Sequence, residues 1–216
     1  MNQIILKKTN SREQLTPSKV VCIGRNYVDH IEELNNELPA EMVVFNKPNS
    51  SISDKLIAQH NTQALHYEAE LSFLYQSGQL TAVALGLDLT KRGLQTELKN
   101  KGLPWERAKA FDGSAVFSEF VAIEQNDIQQ LELVLSINGV EKQRGGVSLM
   151  MIKPQQILKD LQTFITLEDG DIVMTGTPKG VGKIMSDDSF VGQIYLNTLP
   201  IASTNTQLIK ASWQAK

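Results

Sequence analysis

His30 and Glu33, three residues apart, close the stretch VVCIGRNYVDHIEE at residues 20–33. On a helical turn that spacing sets both side chains on one face. A carboxylate bonded to an imidazole fixes its tautomer and raises its basicity, as a general base requires. Arg25, just after Gly24, is a candidate for holding an anionic substrate. Read alone, the plainer interpretation of the pair is the solvated start of a surface helix, where such spacings are common.

A second set lies in LHYEAELSFLY, residues 65–75. Its strict alternation places Tyr67, Ala69, Leu71 and Phe73 on one strand face and His66, Glu68, Glu70 and Ser72 on the other. The bases of side chains two apart on a strand lie roughly 6.5–7 Å apart, so long glutamates can converge on one cation. Asp88, at the end of the following apolar run, could give a third oxygen ligand. An all-carboxylate set suits a hard ion, Mg²⁺ or Mn²⁺ with Ca²⁺ as a substitute, better than zinc. By pattern alone, the plainer reading is the solvated face of an edge strand. His66 could serve as ligand, support or surface residue.

The loop TGTPKGVGK follows an apolar run at DIVMTG. A phosphate-binding P-loop has four residues between its first glycine and its Gly-Lys pair, followed by Ser or Thr. Here five residues separate Gly176 from Gly182, and Ile184 follows Lys183. Phosphate-loop and dinucleotide readings both fail. A tight turn remains, whose backbone N–H groups and threonine hydroxyls could hold a carboxylate.

The elements that must position these groups are mostly strands. Extended runs are expected at 19–24, 42–48, 65–75, 82–90 and 171–176, with two weaker ones near 190–197 and 206–213. Asn138-Gly139 between extended runs predicts a type I′ hairpin. Helices are expected over 91–102, stopping at Gly102, and over 154–166, starting with Pro154. Strands outnumber helices and do not alternate regularly with them, so the fold class is mostly β with a mixed sheet and a few helices. A length of 216 residues suits one domain. A formal net charge of −3 argues against a nucleic-acid partner. No apolar run approaches a membrane span, and no signal peptide is read. One cysteine, Cys22, excludes an intrachain disulfide and fits a cytoplasmic location.

Together, GRNYVDHIEE, VVFNKP, HYEAEL, LGLDLTKRGLQ, KGLPWERAKAFD, INGVEKQRG and LEDGDIVMTGTPKGVG resemble, in order, the fumarylacetoacetate hydrolase family in its small single-domain branch. That branch includes acylpyruvate hydrolases, oxaloacetate decarboxylases and the isomerase/decarboxylase of homoprotocatechuate breakdown. The resemblance implies a mixed β-sheet roll over residues 1–216, with 1–18 as a lead-in, usually as a homodimer. It also implies Mg²⁺ or Mn²⁺ on Glu68, Glu70 and Asp88. His30 and Glu33 match the pair that activates water, on a segment able to close as a lid. Lys109 matches the lysine beside the substrate's oxo group. Arg92, Gln95 and Thr177 match positions that hold carboxylate or oxo oxygens.

The implied substrates are small 2-oxo acids, turned over through an enolate by C–C hydrolysis or decarboxylation. An isomerase acting on 2-hydroxyhepta-2,4-diene-1,7-dioate is the alternative within the family. A metal- and oxo-acid-binding relative with little turnover is the alternative outside catalysis. The chain departs from the family at Lys91-Arg92-Gly93, where relatives carry a carboxylate after the arginine. Gly93 is therefore expected to leave the Arg92 fork loosely held. Tyr67 stands where many relatives have a histidine.

Overall fold

The computed structural model describes residues 1–34, 37–197 and 206–216. Its main strands are β1 (Ile4–Lys7), β2 (Arg12–Leu15), β3 (Lys19–Gly24), β4 (Val43–Pro48), β5 (Ala69–Gln76), β6 (Gln79–Asp88), β7 (Ala115–Phe117), β8 (Phe120–Ala122), β9 (Leu131–Ile137), β10 (Val140–Gly146), β11 (Ile172–Met174), β12 (Ser189–Leu196) and β13 (Thr206–Gln214). The helices are α1 (Val28–Glu33), α2 (Arg92–Asn100), α3 (Glu106–Lys109) and α4 (Pro154–Leu161).

A 10-stranded sheet runs in the order β2-β1-β8-β6-β5-β11-β3-β4, with β7 and the short strand Ile52–Ser53 continuing beyond β6. The β1/β8 and β3/β11 pairs are parallel and the β5/β6 pair is antiparallel, so the sheet is mixed as expected. A 4-stranded antiparallel sheet, β10-β9-β12-β13, lies against it. The region read as a lead-in contributes β1 and β2 to one edge.

Both faces of the large sheet are buried, and alternation decides which core each residue joins. Val21, Ile23, Leu71, Phe73, Val83 and Leu85 pack against Leu133, Leu135, Phe190 and Ile194 of the small sheet. Val20, Cys22, Leu74, Ala82, Ala84 and Met174 face the opposite way, into a second cluster with Ile4, Leu6 and Phe120. A strand covered on both faces has no position for a solvated residue, which explains the unbroken apolar run of β3.

The Asn138-Gly139 turn has φ of 52° and 78°, the double positive pair of a type I′ hairpin. Helix α4 is shorter than expected and ends at Leu161. The Thr163 hydroxyl and N–H both bond the Asp160 carbonyl, tightening the chain into a turn. Phe164, expected on the buried stripe, is exposed. Among the described residues no helix is long and apolar enough to cross a membrane.

Candidate active site

The floor of the site is made by β5 and β6. Their register sets Ala69 opposite Leu87 and Glu70 opposite Gly86, and the Asp88 N–H donates to the Glu68 carbonyl at 2.9 Å. Alternation then puts Glu68, Glu70 and Asp88 on one face. One oxygen from each lies within 4.8 Å of the others. The residues are 6%, 2% and 0% exposed, so the solvated-edge reading of this strand is overturned. Its cause is topological: β5 lies between β6 and β11, inside the sheet. Gly86 is required here, because a Cβ would come within 2.3 Å of the Ser72 hydroxyl.

Buried carboxylates repel unless a cation joins them. Burial, then Asp88 and Glu68, push the Glu70 carboxyl well above its ordinary range. The Gly176 N–H opposes this with a 2.7 Å bond to Glu70 Oε2. Glu68 goes the other way. Burial disfavours its charge, but the Lys109 ammonium and Arg92 guanidinium outweigh burial and hold its carboxyl low. Lys109 bonds Glu68 (3.0 Å), Asp88 (2.6 Å) and the Thr90 hydroxyl (2.6 Å). Burial opposes its charge, yet Asp88 and Glu68 keep the ammonium above its usual value.

Asp88 Oδ1 has no hydrogen-bond partner, although Lys47 Nζ stands 2.8 Å away as an ion-pair partner. The Lys47 N–H groups point instead at the Lys109 carbonyl and at Ser114. A hard divalent cation fits this set: three converging buried carboxylates, with Glu70 destabilised by burial and like charge.

The rim is made by α1 and the glycine-rich loop. His30 Nδ1 lies 3.2 Å from Glu33 Oε2. Burial lowers the His30 pKa, against the opposing pull of Glu68 and Glu33, so the imidazole is neutral near pH 7. Asn26 anchors the preceding loop, bonding the carbonyls of Ile152 and Thr175 and the Ile152 N–H. The glycine-rich loop does hold carboxylates, but they are the protein's own. Gly176 serves Glu70, and the Gly180 N–H donates to Glu33 at 3.0 and 3.2 Å. Gly180 also has φ of +98°, with the Lys142 carbonyl 1.9 Å from where a Cβ would sit.

One cleft gathers Arg25, His30, Glu68, Glu70, Asp88, Arg92, Gln95, Lys109 and Thr177. Glu33 lies behind His30. Arg92 is not loose: Nη1 donates to Gln95 at 2.7 Å, and Nη2 bonds Glu68. A Cβ on Gly93 would meet nothing within 4 Å, so a side chain fits there, and the Arg92 fork is held without one by Gln95 and Glu68. The Thr177 hydroxyl is tied to the Ala69 carbonyl and the Gln143 amide. His66 is half-buried, stands outside the cleft lining, and pairs through its backbone with Thr90 and Lys183. Tyr67 packs edge-on against Phe190 in the core.

Sequence reasoning missed Lys47, Lys99 and Trp105. Lys47 sits in VVFNKP, where a lysine following an apolar strand run is the one available signal, and the structure buries it wholly. Lys99 falls seven residues after Arg92, on the same helical stripe.

The family model described as fumarylacetoacetate (FAA) hydrolase C-terminal matches residues 19–209. The mitochondrial oxaloacetate tautomerase of Bos taurus is 37% identical over 191 residues, covering 82% of this chain and 86% of the relative. An oxaloacetate tautomerase of Escherichia coli is 37% identical over 187 residues, covering 79% and 85%. Fumarylpyruvate hydrolase of Pseudomonas aeruginosa, solved with Mn²⁺ and pyruvate, superimposes with a TM-score of 0.84 at 25% identity, covering 100% of this chain and 96% of that one. A match spanning nearly all of the sheet framework, with relatives this similar along most of their length, means that the chain belongs to the fumarylacetoacetate hydrolase family.

Proposed function

We propose that the protein is a divalent-metal-dependent enzyme for small 2-oxo acids, with keto–enol tautomerisation of oxaloacetate as its leading reaction. One observation carries this reading: the buried Glu68–Glu70–Asp88 triad faces the same cleft as Lys109 and His30, with Glu33 bonded to His30 from behind. The relatives named as oxaloacetate tautomerases support the choice of substrate.

Glu68, Glu70 and Asp88 would hold Mg²⁺ or Mn²⁺, and the ion would supply a Lewis acid for the substrate's carbonyl. Lys109 has its hydrogen-bond donors committed to Glu68, Asp88 and Thr90. It therefore acts through its charge, favouring the negative oxygen that develops as a proton leaves carbon. Glu33 accepts from His30 Nδ1–H and leaves Nε2 as the basic atom. Nε2 takes the proton from the carbon beside the carbonyl and delivers it to the enolate oxygen to give the enol, or carries it in the reverse direction. Arg25 and Gln95 supply donors toward substrate oxygens, and Arg92, whose fork is held by Glu68 and Gln95, adds positive charge beside them. Hydrolysis of an acylpyruvate, the second reading, uses the same residues with Nε2 taking its proton from water. The superimposable fumarylpyruvate hydrolase favours keeping it.

The test is to follow loss of enol-oxaloacetate absorbance with Mg²⁺ or Mn²⁺, beside pyruvate release from oxaloacetate and acetylpyruvate. Rapid enol loss with slow pyruvate release is the expected result. Pyruvate release that keeps pace with or outruns enol loss would transfer the assignment to decarboxylation or hydrolysis. No acceleration of any of these with either ion would overturn the whole reading.

A further inference from the structure

We propose that Lys99, together with Arg25, binds the second carboxylate of the substrate and makes the site selective for dicarboxylic 2-oxo acids. This rests on the 2-oxo-acid reading of the cleft and deepens it.

The charge inventory is the first observation. Four cations line the cleft, Arg25, Arg92, Lys99 and Lys109, against the three carboxylates of the floor. Lys47 adds a further buried cation directly behind Asp88. A divalent ion on the floor makes the positive excess larger still. A monocarboxylate compensates one charge of that excess, whereas a dicarboxylate compensates two.

The placement of Lys99 is the second. Arg92, Gln95 and Lys99 fall at helical spacing on α2, and all three line the cleft. The Lys99 ammonium lies 5.0 Å from the centre of the Trp105 ring, which with Phe45 builds an aromatic wall on the same cleft. Burial, then the like charges of Arg25 and Arg92, push the Lys99 ammonium down to about 8. An anion between these cations relieves that repulsion.

Arg25 supplies the third. Its backbone has φ of +56°, an unfavourable conformation for a side-chain-bearing residue. Its Nε is buried and makes no hydrogen bond. A strained residue aiming an unpartnered donor-bearing group into a cleft is the signature of a ligand contact. Arg92 also has a buried Nε without a hydrogen bond, but its two terminal nitrogens are held by Glu68 and Gln95 and its backbone is not among those with positive φ.

The experiment compares wild type, Lys99→Met and Lys99→Arg on enol-oxaloacetate and on the monocarboxylate acetylpyruvate. Methionine keeps an apolar stem on Trp105 and removes the charge. The expected result is a KM for oxaloacetate raised roughly 10- to 100-fold in Lys99→Met, the scale of one charge-assisted hydrogen bond. KM for acetylpyruvate should stay within about twofold, and Lys99→Arg should recover most of the oxaloacetate KM. Equal effects on both substrates, or none, would overturn the assignment while leaving the activity in place. Calorimetry of the Mn²⁺-loaded protein with malate and lactate reads the same preference without turnover. If wild type turns over neither oxo acid, the catalytic reading fails, and the inference is then decided by whether Lys99→Met abolishes a preference for malate. A wild type without that preference overturns it.

Discussion

Glu70 and Glu33 both accept backbone N–H bonds from the same glycine-rich loop, yet they belong to two differently built regions. Glu70 stands on a strand flanked by neighbours on both sides and is 2% exposed. Glu33 ends a 6-residue helix that lacks a side-chain N-cap, and its side chain is 32% exposed. The floor is held by the sheet and two cores. The rim is pinned by two buried side chains, Tyr27 and Ile31, and by hydrogen bonds that include the Gly180–Glu33 contact and the exposed Lys179–Asp29 ion pair. The floor concentrates like charge at some cost in stability; the rim sets His30, the proposed base, on a short helix whose glutamate stays partly exposed.

The largest expected effect comes from the floor. Glu70→Gln should abolish turnover and lower Mn²⁺ affinity by about 100-fold or more, read by calorimetry. The metal-free variant should melt no lower than wild type at pH 7. Glu70 has a raised folded-state pKa, so its ionisation opposes folding as pH rises, and the amide removes that term. Unchanged Mn²⁺ affinity would take Glu70 out of the ligand set.

At the rim, His30→Ala should lower kcat by on the order of 10²–10⁴-fold with Mn²⁺ affinity unchanged. A parallel loss of metal binding would dissolve the distinction between floor and rim.

Lys109→Met sharpens the contrast from the side of stability. Glu68 and Asp88 lose a buried partner, and unfolding free energy should fall by about 3–5 kcal/mol in urea titration of the metal-free protein. A loss below about 1 kcal/mol would mean that the floor relaxes as readily as a surface.

Smaller still is the pH effect. A base works above its pKa, and burial lowers that of His30. The acid limb of kcat/KM should therefore fall below the ordinary histidine value of about 6.5. A limb above that value would assign the proton transfer to another group.

Gly93→Asp is the smallest. With the Arg92 fork already held by Glu68 and Gln95, KM should move less than about twofold, well below the cost of one hydrogen bond. A KM several-fold lower in the variant would show that the fork is looser than its contacts imply.

Several features were decided by the chain itself. Alternation in LHYEAELSFLY fixed which residues share a face, because strand side chains have a period of two. Asn138-Gly139 fixed a hairpin, because both positions need positive φ. The spacing of His30 and Glu33 fixed their contact within one helical turn. What no local pattern contained was burial. The same Glu-Ala-Glu alternation describes a wet edge and a dry centre, and only the placement of β5 between β6 and β11 chose the second. The hold on Arg92 came from Glu68, 24 residues away. The carboxylates held by the glycine-rich loop came from 106 and 147 residues away. Charges so distant in sequence meet only when the sheet is assembled, and at these separations no local propensity reports on them.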